Sequence, residues 1–121
     1  WQKSFTIGRR MLICYEVIIM NVKLEKLKNM VGRKLPSGKT EYVIEYCDEN
    51  YLVFEPTGKS KRVMFPSELV LEWITALEYG LITRSSEPDK MKEVVMPASN
   101  WANYHHGFRT HLAAVVRNWT I

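Results

Sequence analysis

Residues 41–65, "EYVIEYCDENYLVFEPTGKSKRVMF", constrain the fold more than any other part of this 121-residue chain. Three short runs rich in Val, Ile, Tyr and Phe are broken by "DEN" and by "PTGKSK". Strand side chains alternate between two faces, so runs this short read as strands, and both breaks have turn composition. The stretch predicts a three-stranded antiparallel meander.

Helical spacing follows it. Ser67 opens "ELVLEWITALEY" and Gly80 stops it, with Leu69, Val70, Trp73, Ile74 and Leu77 on one face. Glu68, Glu72 and Glu78 lie outside that apolar set, so this helix faces water or a basic partner and not DNA. Ahead of the meander, "FTI" and "MLICYEVIIM" read as strand, the second one central. Asn21 then caps a short helix, "VKLEKLKNMV", that turns Val22, Leu27, Met30 and Val31 inward and Lys23, Lys26 and Lys28 outward, with Gly32 at its end. "TRSSEPDKMKE" reads as a polar connection, "VVMP" as a short strand, and Ser99 begins a last helix that reaches residue 118. The expected architecture is one α+β domain over residues 1–121. A three-stranded antiparallel meander with an extra N-terminal strand packs against two to three amphipathic helices.

With 46% hydrophobic and 25% charged residues, the composition is that of a globular chain and argues against disorder. Cys14 and Cys47 lie far apart and form no CxxC pair, which fits free thiols in a reducing, cytoplasmic compartment, with a disulfide between the two as the alternative. "GRRMLICYEVIIM" has a basic pair before an apolar run, but the run is short, Glu16 interrupts it and no small-residue cleavage site follows. No membrane association is expected. The four tryptophans exceed what one core of this size readily buries, which predicts a homodimer.

Several motifs tempt and fail. "PSGKT" ends like a phosphate-binding loop, yet Arg33 stands where that loop needs its first glycine, and a strand follows where it needs a helix. "TGKS" fails in the same way. "PDK" at 88–90 has the start of a metal-dependent nuclease motif without the second carboxylate and lysine. Cys14 and Cys47 sit in apolar strand runs, where a thiol stays protonated and inert. On a helical wheel from Ser99, Trp101, Tyr104, Phe108, Leu112, Val115, Val116 and Trp119 share an arc of about 120°. His105 lies inside that arc as a buried or boundary residue, His106 points away, and His111 falls on the far flank. Three histidines aimed in three directions cannot hold one metal by themselves. No catalytic residue, metal or cofactor is expected, and the chain does not read as an enzyme.

The remaining polar groups point to a binding protein. Asn103, His106, Thr110 and Arg117 recur at helical spacing with Arg109 beside them, and that face carries no acidic residue. Asn and Arg read base edges, while Thr and Arg hold phosphates. Lys39, Lys59, Lys61 and Arg62 sit in turns, and Lys23, Lys26, Lys28, Arg33 and Lys34 crowd one segment of a chain whose net charge is +4. A short basic helix, a meander with a lysine-rich tip and an amphipathic C-terminal helix together resemble a winged-helix DNA-binding module. The stretch from Glu41 to Ile82 also resembles small domains attached to restriction-type nucleases of bacterial mobile elements, in which a strand pair, a "TGK-R" turn and a helix ending in Gly recur. The resemblance implies a small accessory protein that binds nucleic acid. The alternative is a homo-oligomeric protein-interaction module with no nucleic-acid role.

Overall fold

A computed structural model describes residues 21–57, 61–96, 98–104 and 107–120. The strands expected from "FTI" and "MLICYEVIIM" lie outside the described residues, as do Cys14, Lys59, His105 and His106.

The meander forms where the sequence places it and gains a strand. β1 (Lys34–Ser37), β2 (Thr40–Cys47), β3 (Tyr51–Phe54) and β4 (Val63–Pro66) make an antiparallel sheet in the order β1-β2-β3-β4. β1 comes from the stretch that imitates a phosphate loop. Gly38 and Lys39 are instead the two central residues of a hairpin, closed by the pair Ser37↔Thr40. Gly38 has φ +64, a conformation that any side chain would strain. β1 carries Pro36, which an edge strand tolerates because one flank needs no partner.

The sheet has one covered and one open face. Tyr42, Ile44, Leu52, Phe54, Val63 and Phe65 point into the core. A bulge between Ile44 and Tyr46 shifts the register, so that Tyr46 pairs with Val53 on the open face, beside Met64. The β2–β3 turn is held by Asp48, whose carboxylate accepts the backbone N–H groups of Asn50 and Tyr51, each at 2.7 Å.

Among the described residues there are four α-helices: α1 (residues 21–28), α2 (Ser67–Glu78), α3 (Pro88–Val95) and α4 (Phe108–Arg117). α2 matches its spacing, with Val70, Trp73 and Ile74 fully buried. The buried Ser67 hydroxyl donates to the Asp48 carbonyl at 2.7 Å, which ties the start of α2 to the β2–β3 turn. At its other end the Leu81 N–H reaches back to the Ala76 carbonyl at 2.9 Å around Gly80, whose φ is +75.

The other helices depart from the spacing in places. Asn21 already lies within α1 and does not cap it, and Val22 is exposed while Leu27 and Met30 are buried. Residues 94–96 finish a helix and form no strand. Pro88 starts that helix at a position where its missing N–H costs nothing, and Met91 anchors it in the core. The long C-terminal helix is two elements: a 3-10 segment, Ala98–Asn103, and α4, which begins after Gly107. The arc that joined Trp101 and Tyr104 to Phe108 therefore does not exist as one helix face.

α4 is the centre of the molecule. Every residue from His111 to Val116 is buried, so the helix is enclosed on nearly all sides. His111 is 3% exposed and its ring stands between Tyr42, Phe54 and Phe65, at centroid distances of 4.8, 5.0 and 5.9 Å. Its Nδ1 lies 2.9 Å from the Gly107 carbonyl. Trp73 and Trp119 also belong to this core, so two of the four tryptophans need no partner chain to bury them.

Candidate nucleic-acid interface

β1 runs along the C-terminal end of α4, and side chains stitch the two together. Arg117 donates through Nη1 to the Ser37 hydroxyl, through Nη2 to the Ser86 carbonyl at 3.2 Å and through Nε to the Arg84 carbonyl at 3.3 Å. The next residue, Asn118, donates to the Pro36 carbonyl at 3.0 Å. Arg84 forks onto the Trp119 carbonyl at 3.1 and 2.6 Å. Lys26, from α1, reaches the Thr120 carbonyl at 3.5 Å and lies 5.7 Å from the centre of the Trp119 ring.

These contacts gather cations from four separate stretches of chain. Lys26, Arg33, Lys34, Lys39, Arg84 and Arg117 line the β1 edge and the end of α4. Of the six, only Lys34 meets a carboxylate among the described residues, Glu41 at 4.0 Å. Arg84 and Arg117 direct their described hydrogen bonds to carbonyl and hydroxyl oxygens, which leaves their charge unneutralised. Part of this arrangement serves the fold, because cations at a helix C-terminus oppose the negative end of its dipole. Lys34 and Lys39 have no such duty: they are exposed, and Lys39 stands at the tip of the β1–β2 hairpin.

The other residues expected to touch nucleic acid are placed unequally. Lys61 and Arg62 lead into β4 and lie level with the middle of β2, away from the hairpin that carries Lys39, since Phe54 pairs with both Ile44 and Val63. β4 is the edge opposite β1, roughly 14 Å away across three strand spacings. Arg62 is held by Glu45, Nε to Oε2 at 2.5 Å. Arg109 binds Asp89 at 2.7 Å and joins α4 to α3. The Thr110 hydroxyl donates to the Gly107 carbonyl at 2.8 Å, and Asn103 is exposed at the end of the 3-10 segment. His106 and Lys59 lie outside the described residues. Arg117 thus reaches Ser37 in the strand that leads to Lys39, while Arg109 is engaged with α3. An enclosed α4 offers no continuous outward face to enter a groove of DNA.

Arg84 is the residue that sequence reading misses. It lies in the polar run "TRSSEPDKMKE", and its acceptor is 35 residues away, so no local spacing marks it. Cys47 is half-buried and burial pushes its thiol pKa up, against nucleophilic use. Among the described residues no cluster of His, Cys, Asp or Glu could hold a metal ion, and no helix is long and apolar enough to cross a membrane.

The exposed side of α2 is acidic. Glu68, Glu72 and Glu78 line it, and burial and then the nearby Glu68 raise the pKa of Glu72. No known protein family, curated protein or solved structure matches the chain.

Proposed function

We propose that the chain is a nucleic-acid-binding accessory module that grips the phosphate backbone along its β1 edge. The observation that carries this reading is the cationic belt of Lys26, Arg33, Lys34, Lys39, Arg84 and Arg117, which among the described residues has a single carboxylate contact. Its acidic counterpart on α2 orients the molecule, because a polyanion approaching from that flank is repelled. Contacts of this kind position a backbone and carry little sequence information. The module therefore holds nucleic acid without strong base preference, and the enclosure of α4 supports the same view. The resemblance of residues 41–82 to domains attached to nucleases fits a part that delivers nucleic acid to a separate catalytic unit.

The test is a titration of fluorescent mixed-sequence duplex and single-stranded DNA over a series of salt concentrations. Each phosphate neutralised releases condensed counterions, so the logarithm of affinity falls with the logarithm of salt by about 0.9 per contact on duplex. Replacing Arg33, Lys34 or Lys39 with Ala flattens that slope by about one unit each, while Arg109→Ala leaves it unchanged. Absence of any complex at low salt overturns the reading.

A second reading, self-association, rests on the open sheet face. Tyr46, Tyr51 and Met64 are 51%, 48% and 59% exposed there, with Val53 between them. Interface cores favour Tyr, Met and Arg. Glu45 and Arg62 on the same face let two copies related by a twofold axis exchange that ion pair.

A further inference from the structure

We propose that the groove between α1, α2 and α3 docks an amphipathic helix of a partner protein, one that carries two basic residues one turn apart beside an apolar stripe. The groove has a volume of about 370 Å³, and its floor is apolar, formed by Leu71 and Ala76 of α2, Leu81 beyond it and Val94 of α3. Leu81 and Val94 remain 64% and 44% exposed. Apolar surface left open at the bottom of a cleft is the usual mark of a site that another molecule covers.

Charge identifies the occupant. Glu68 and Glu72 stand one turn apart on one wall, and like charges at that spacing repel. Neither meets a cation among the described residues. The raised pKa of Glu72, from burial first and Glu68 second, records the cost of holding both charges there. The third carboxylate, Glu78, is neutralised by Lys23 at 2.7 Å, and Lys23 also donates to the Thr75 hydroxyl at 3.3 Å. One end of the groove is thus closed and electrically satisfied, while the other is acidic and unsatisfied. A helix laid along α2 meets Glu68 and Glu72 with its own residues at i and i+4 and buries its apolar stripe on the floor. α2 has 12 residues, so it offers a seat roughly 18 Å long. Nucleic acid is repelled from this wall, so the groove and the belt call for partners of opposite charge.

The probe is a blocked helical peptide of about 14 residues with Leu on one stripe and Lys at i and i+4 beside it. It is titrated into the isotope-labelled full chain and followed by amide chemical shifts. The Lys peptide moves the amides of Leu71, Ala76 and Leu81, and a peptide with Glu in place of Lys does not. The double substitution Glu68→Gln, Glu72→Gln keeps helix propensity and weakens the Lys peptide about tenfold. Equal binding of both peptides, binding of neither, or indifference to the glutamine variant overturns the proposal. So does concentration-dependent shifting of the groove amides in the chain alone, which would place a second copy there. DNA binding by the same sample reads the belt separately.

Discussion

The carboxylate of Asp48 accepts three hydrogen bonds at once: from the backbone of Asn50 and Tyr51 and from the Tyr46 hydroxyl at 2.7 Å. The Tyr46 bond, followed by the two backbone bonds, lowers the Asp48 pKa below its ordinary value. A carboxyl whose pKa falls on folding stabilises the fold above its unfolded pKa, and that contribution is lost as pH drops through the folded one. Asp48→Asn should therefore be less stable than the parent near neutral pH. The gap should narrow once pH falls through the ordinary carboxylate range of about 4 and close below the lowered value. Urea unfolding at a series of pH values measures it, and a gap independent of pH would refute the assignment. His111 teaches the converse lesson. Its place on a wheel drawn from Ser99 is the flank, but α4 starts at Phe108 and lies against the sheet, so the ring is enclosed by aromatics from three strands. Period alone does not say which neighbours a helix has.

Among the elements, α2 is legible because twelve residues repeat at helical spacing between a turn and a glycine. β2, β3 and β4 are legible because turn residues separate them. β1 is not, since four residues that include Pro36 carry too little alternation, and its hairpin glycine imitates a phosphate loop. α3 hides because its apolar end, "VV", favours strand locally, while Met91 and its packing on α2 and α4 decide for helix. The basic belt is half legible: the crowding of Lys26, Arg33, Lys34 and Lys39 is visible in the chain, but the junction with Arg84 and Arg117 exists only after folding. Gly38 sets the hairpin that carries Lys39. Gly38→Ala forces a side chain into left-handed backbone and should cost about 1–2 kcal/mol. Calorimetry reads the loss of stability, and a variant as stable as the parent would show that the hairpin tip is not held.

For the whole molecule, two surfaces of different character flank one core, and the assembly question turns on a third, the open sheet face. The tryptophan count predicts a dimer, yet Trp73 and Trp119 are internal, so the prediction now rests on Tyr46, Tyr51 and Met64. Sedimentation of the parent at high micromolar concentration should show a dimer, and Tyr46→Ser with Met64→Ser should return it to monomer. A parent that stays monomeric would leave that face without a role in self-association. A strand could not add along β1, because that edge is shut: Pro36 has no N–H to offer there and its carbonyl is taken by Asn118 at 3.0 Å. An incoming strand would find no continuous ladder to extend. The β1 rim is thus guarded against fibrillar growth, and the guard is the same strand that carries the cations.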